Sequence, residues 1–188
     1  MTRRCKNSQC RNELPPARQC TDYMQKKGFC NVECATKCGI ERAEKAKERK
    51  SRREVREAKE RIKTKAEHAR EAQTAFNAWV RERDRDLPCI SCGRHHQGQY
   101  HAGHYRTVGA NPELRFEPLN CHKQCAPCNN HKSGNIVEYR INLRERIGEG
   151  NLDWLEGPHD PKRYTIDDLK EIKALYRNLV RDMRKETL

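Results

Sequence analysis

Cys89-Ile90-Ser91-Cys92 and Cys125-Ala126-Pro127-Cys128-Asn129, with Gly103-His104 and Asn120 between them, are the stretches that decide this fold. Two Cys-x-x-Cys knuckles of this kind close a tetrahedral zinc site, which can fix a short hairpin against a short helix where little apolar sequence exists to do so. A structural zinc is therefore expected on Cys89, Cys92, Cys125 and Cys128. The segment also carries what a plain zinc ribbon does not need. His104 lies between the knuckles, and Asn129 follows Cys128 on what should be the first turn of a helix. An imidazole and an amide so placed can hold a second, catalytic cation and a water against a phosphate.

Composition agrees with small, metal-stapled modules. Of 188 residues, 34% are hydrophobic and 36% charged, with three Phe and two Trp, so one large core is not expected. The formal net charge is +13. Residues 1–40 contribute +5, residues 41–86 another +5, residues 87–135 +3, and the remainder is balanced. That distribution suits a polyanion-binding surface, and nucleic acid is the default partner. Eleven cysteines could form a secreted disulfide scaffold, but Met1-Thr2-Arg3-Arg4-Cys5 is no signal region. Metal ligation in a cytoplasmic protein is the expectation, and no apolar run is long enough to cross a membrane.

The expected fold class is α with a small β component, in four segments. Residues 1–40 form an N-terminal cysteine cluster, where Cys5, Cys10, Cys30 and Cys34 are candidate ligands of a second zinc and Cys20 and Cys38 compete with them. Residues 41–86 lack Gly and Pro and are dense in Ala, Glu, Lys and Arg, which predicts one long charged helix. An apolar stripe through Val55, Ile62, Phe76, Trp79 and Val80 strengthens toward its C-terminal end, which should dock on the metal core. Residues 87–150 form that core and include a helix from Ile136 to Ile147, ended by Gly148-Glu149-Gly150. Residues 151–188 form a polar loop and a last helix capped by Thr165.

Cys-Ile-Ser-Cys at 89–92, Ala-Gly-His-Tyr-Arg at 102–106, Leu-Arg-Phe at 114–116, His-Lys-Gln-Cys at 122–125, Cys-Asn at 128–129 and His-Lys-Ser-Gly-Asn at 131–135 resemble the phage NinG (Rap) recombination-protein family. The layout also resembles the ββα-metal, HNH-type nucleases. The resemblance is close over about residues 87–150. It implies a metal-dependent, structure-selective DNA endonuclease acting on Holliday junctions and branched DNA, with Mg²⁺ or Mn²⁺ as catalytic cofactor, in the host cytoplasm if the chain is phage-encoded. His104 would be the general base, Asn129 an ion ligand, and Asn120 a support holding the strands in register. Such sites usually carry Asp or His directly before the base, whereas position 103 is Gly. His101 is the nearest replacement, where the NinG pattern suggests Asp. Residues three apart on a regular strand face opposite ways, so His101 and His104 would share the ion only across a bulge. Arg106, Arg115, Lys123 and Lys132 are the expected phosphate clamps.

Two other classes compete. A non-catalytic zinc-containing DNA-binding recombination accessory protein would leave His104 a packed residue, and the Gly at 103 favours it. A structural adaptor built on the charged helix accounts for residues 41–86 alone. Resolving a symmetric junction takes two nicks, so a homodimer through the charged or the C-terminal helix is attractive, and recombination proteins are further candidate partners.

Overall fold

The computed structural model describes residues 3–10 and 12–186, which divide into two compact units at Lys63/Thr64. It is mainly helical with two small two-stranded sheets, in agreement with the α+β expectation. No helix among the described residues is long and apolar enough to cross a membrane.

The first unit has almost no apolar core. Strands β1 (Arg3–Arg4) and β2 (Glu13–Leu14) pair antiparallel, followed by a short helix α1 (Tyr23–Lys27) and the long α2 (Val32–Arg61). Asp22 caps α1 by accepting from the Gln25 amide, and Asn31 caps α2 by accepting from the Cys34 amide. What lies buried between these pieces is chiefly sulfur: Cys5, Leu14 and Cys34, with Cys10, Phe29 and Cys30 against them. Such a cluster buries too little apolar surface to hold the unit together alone.

The expected single helix over 41–86 is two helices. α2 begins at Val32 and stops at Arg61, and α3 spans Lys65–Arg83. The interruption is a capping box. Thr64 is extended, its hydroxyl accepts from the Glu67 amide, and the Glu67 carboxylate accepts from the Thr64 amide at 2.8 Å. Both bonds satisfy groups that a continuous helix would have satisfied internally, so Thr64-x-x-Glu67 competes with propagation even without Gly or Pro.

In the second unit, β3 (Tyr100–His104) pairs antiparallel with β4 (Cys121–Cys125), residue for residue. α4 (Ile136–Ile147) has the expected bounds, with Gly148 at φ 81° ending it. The polar loop expected from 151 is preceded by a further helix, α5 (Glu149–Glu156), which takes in Glu149 and Gly150 and buries Leu152 and Leu155. Thr165 caps α6 (Ile166–Lys185) with a second capping box on Asp168.

The hairpin is packed on both faces. Ala102 and Cys121 meet Ala72, Phe76 and Val80 of α3 and Leu169 and Tyr176 of α6. A separate cluster joins Tyr139 and Leu143 of α4 to Leu152 and Leu155 of α5, Ile90 and Tyr105. The apolar stripe thus splits: Phe76 and Val80 are fully buried, whereas Val55 and Ile62 are exposed. Asp84, just past α3, ties the layers. Its carboxylate accepts from the Lys123 amide at 2.9 Å and from the Arg83 guanidinium at 2.8 and 3.0 Å.

Candidate metal centres and the hairpin site

Both expected cysteine tetrads are assembled. Within Cys89, Cys92, Cys125 and Cys128, and within Cys5, Cys10, Cys30 and Cys34, all four sulfurs lie within 4.8 Å of one another, and every cysteine is a free thiol. Zinc–sulfur bonds of about 2.3 Å would separate tetrahedral sulfurs by roughly 3.8 Å, so each donor set fits a zinc ion. Electrostatics point the same way. Burial works to raise the Cys92 thiol, but His96, whose Nε2 lies 3.2 Å from its sulfur, and nearby backbone donors bring it down to about 6. Cys125 and Cys128 are pushed up by burial and by their sulfur neighbours. In the first unit Cys5 falls to about 7 while Cys30 rises to about 12, chiefly through the Cys10 sulfur. One thiolate forms readily and resists the next unless a cation compensates.

On the hairpin, successive side chains alternate between faces. Pairing without a bulge places His101 and Gly103 on one face with His122 and Gln124, and His104 on the other. The bulge that would have let His101 and His104 share an ion does not form. His101 instead shares the face of position 103, and its Nε2 is buried without a hydrogen bond. Asn129, on the helical turn Pro127–His131, reaches that same face. A Cβ built on Gly103 would lie 3.2 Å from Asn129 Oδ1 and only 2.1 Å from Gln124 Oε1. Position 103 thus admits no side chain, because Gln124 fills the space. The orphaned imidazole and the cradle a Cβ would fill make this face fit a cation with oxygen and nitrogen donors.

His104 projects the other way. Its ring lies 6.1 Å from that of Phe76, and its Nε2 is 2.9 Å from the Arg115 carbonyl. A carbonyl only accepts, so Nε2 carries the proton and Nδ1 keeps its lone pair. Burial holds the imidazole below its ordinary range, only partly offset by that carbonyl, so it is neutral at pH 7. Asn120, fully buried, closes the hairpin mouth. Its Oδ1 accepts from the Arg106 amide at 2.8 Å, and its Nδ2 donates to the Arg106 and Leu114 carbonyls.

The four basic residues expected to clamp phosphate are placed unequally. Lys132 is exposed. Lys123 is a correction: it is 5% exposed, and its ammonium donates to the Arg85 carbonyl at 2.7 Å and sits over the Tyr100 ring. Arg106 is turned onto the Glu156 carbonyl and Asn111, and Arg115 donates to Gln73 while lying over Phe116. His122 faces the Tyr139 hydroxyl at 3.3 Å, while the Cys92 sulfur is met by His96. Sequence reasoning missed Gln124, Tyr139 and Asp84. Alternation puts Gln124 on the face of His122, but that this is also the face of position 103 follows only from the pairing.

These features define a class: an α+β protein of two small units, each built on a cysteine tetrad able to hold a metal ion, the second also carrying a polar hairpin-and-helix site. Within that class the chain belongs to the NinG family, whose model, described as Bacteriophage Lambda NinG protein, matches residues 1–186. It is 48% identical over 196 residues to protein ninG of Escherichia phage lambda, spanning 97% of this chain and 93% of that relative. The same identity holds for protein ninG of Salmonella phage P22, over 97% of this chain and 94% of the relative. Protein ninG of Escherichia phage 933W is 50% identical over 123 residues, or 65% of this chain. No solved structure matches the chain.

Proposed function

We propose that this protein is a metal-dependent, structure-selective DNA endonuclease with an HNH-like ββα-metal core, cutting Holliday junctions and related branches in phage recombination. The observation that carries the reading is the hairpin arrangement. Asn129 Oδ1 faces position 103, and the next residue, His104, presents a neutral imidazole whose Nε2 is tied to the Arg115 carbonyl. A phosphate lying along the open edge of β3 would have Asn129 toward one side and His104 toward the other. His104 Nδ1 takes a proton from water as that water attacks phosphorus. Asn129, with His101 on the same face, would hold a divalent cation, which supplies charge neutralisation on the phosphoryl and leaving oxygens. Tying Nε2 to a carbonyl keeps the ring in one tautomer and orientation, which a merely packed histidine does not require.

The zinc tetrads have a different task in this reading. They hold the N-terminal strands where apolar burial does not, and in the second unit they fix the knuckle end of an otherwise packed hairpin. Shape recognition through the backbone suits the charge, because the excess lies over residues 1–135 and no sequence pattern suggests base-edge readout. The second reading, a non-catalytic zinc protein on DNA, is favoured by the packing of His104 against Phe76. A nicking assay on a synthetic four-way junction, with Mn²⁺ and with a chelator that spares the zinc, separates the two. Mn²⁺-dependent nicks are expected; intact junction under both conditions leaves the accessory reading.

A further inference from the structure

Gln124 is 1% exposed, lies on a buried strand beside Cys125, and has an amide whose direction is determined by its surroundings. Its Nε2 donates to Ser91 Oγ and to the Gly134 carbonyl, each at 2.5 Å, while Ser91 Oγ itself donates to that carbonyl at 2.9 Å. Both amide hydrogens are therefore used on one side, and Oε1 must point to the other, over Gly103. The backbone contributes to this aim. Ser133, Gly134 and Asn135 all have positive φ, at 48°, 85° and 47°, which turns the Gly134 carbonyl inward. Ser133 has no local preference for this region, so its conformation is held by its surroundings.

Asn129 is arranged in the same sense. Its Nδ2 donates to Asn130 Oδ1 at 2.8 Å, which leaves Oδ1 facing Gly103. Two amide oxygens thus converge on one point with their nitrogens occupied elsewhere, and His101, directly across from Gln124 in the register, brings a buried Nε2 with no partner. Convergent acceptors without a donor between them repel unless a cation joins them.

We infer that Gln124 is an ion ligand, its Oε1 replacing the side chain that position 103 lacks, so that the catalytic cation is bound by Gln124, Asn129 and His101. This rests on the proposed nuclease reading for the purpose of the ion, though not for its existence. The donor set carries no carboxylate, so it favours Mn²⁺ over Mg²⁺ and depends on a phosphate for further oxygen ligands and charge balance. It also gives Gly103 its reason: a methyl there would displace Gln124 Oε1.

The test is Mn²⁺ binding to the zinc-loaded full chain with dimethyl phosphate present to supply the phosphodiester oxygens, followed by the loss of the free-ion electron paramagnetic resonance signal. Wild type is expected to take up one Mn²⁺ beyond its zinc. Gln124→Met, which keeps the length and removes the oxygen, should weaken it at least about tenfold, the loss of one good ligand interaction. Zinc content and circular dichroism should be unchanged. Should Gln124→Met disturb the fold, the wild type answers alone: Mn²⁺ should broaden the side-chain amide resonances of Gln124 and Asn129 before all others. Undiminished Mn²⁺ affinity in a folded Gln124→Met, a Gln124 amide resonance that stays sharp at saturation, or a wild type that binds no Mn²⁺ overturns the inference. Mn²⁺ bound through Gln124 without any nicking of junctions would leave this site standing and remove the nuclease reading instead.

Discussion

At the scale of single residues, the hairpin face and the hairpin edge make different demands. His104 is the sharpest case, being held neutral by burial and oriented by one carbonyl. Removing it as His104→Ala should lower junction nicking by about 10²–10⁴, with zinc content unchanged. Because the ring packs on Phe76, the variant should also lose roughly 1–2 kcal/mol of stability. The sign of the pH dependence follows from burial: the imidazolium is disfavoured, so the base stays deprotonated to a lower pH than a free imidazole. The acid limb of the nicking rate should fall below about pH 6.5, the ordinary imidazole value. A limb above that value, or nicking by His104→Ala at the wild-type rate, removes His104 as base. The basic residues divide in the same way. Lys132→Ala should reduce the salt slope of DNA binding by roughly 0.9, the share of one phosphate contact. Lys123→Ala should leave the slope unchanged and lower stability instead, because its ammonium is committed to the Arg85 carbonyl. Equal slopes in the two variants would show that these placements do not govern binding.

At the scale of elements, the hairpin is positioned from outside itself. Asp84, beyond the end of α3, receives the Lys123 amide from β4 and the Arg83 guanidinium, while Arg83 also donates to the Pro118 and Cys121 carbonyls. Burial raises the Asp84 carboxyl, but Arg83 and the Lys123 amide bring it below the usual carboxylate range. The folded state therefore favours the ionised form, and this contribution is present above the unfolded value of about 3.9 and lost as the pH falls through the lower folded one. Asp84→Ala should cost roughly 2–3 kcal/mol, the range for charged hydrogen bonds left unmade. Chemical denaturation at neutral pH measures that loss, and the difference between variant and wild type should shrink toward strongly acid pH. A loss that stays constant with pH would mean that packing, not charge, ties α3 to β4.

At the scale of the whole molecule, metal stands in for core in the first unit and pins the knuckle end of the hairpin in the second. Two zinc ions per chain are expected by elemental analysis, one per tetrad, and stripping them with a strong chelator should unfold the N-terminal strands and the hairpin. Zinc in such sites contributes on the order of 10 kcal/mol, more than a small unit has in reserve. One zinc per chain, or circular dichroism indifferent to the chelator, would contradict the account for at least one tetrad. The Ser91–Gln124–Gly134 contacts link the knuckle to the hairpin face, so zinc loss should also abolish Mn²⁺ uptake there.

Spacing and chemical type sufficed for much of this protein. Two tetrads were legible because cysteines recur at short spacing, as two Cys-x-x-Cys pairs in the core and as Cys5/Cys10 and Cys30/Cys34 near the N-terminus, although Cys20 and Cys38 competed there; α4 and α6 were legible because Gly148 and Thr165 are local signals that act where they stand. The order of His104 and Asn129 along the chain carried no information on which face of the hairpin each would meet. The break between α2 and α3 was written in Thr64-x-x-Glu67 but hidden by the helix-forming composition around it. Only the tertiary structure decided which face each hairpin residue meets, because strand alternation assigns a face only relative to a register, and the register belongs to the pairing. It alone turned Lys123 inward, set His101 apart from His104, and filled the space at Gly103 with Gln124. The direction of an amide depends on what accepts its hydrogens, and for Gln124 those acceptors come from the first knuckle and from a turn beyond the second.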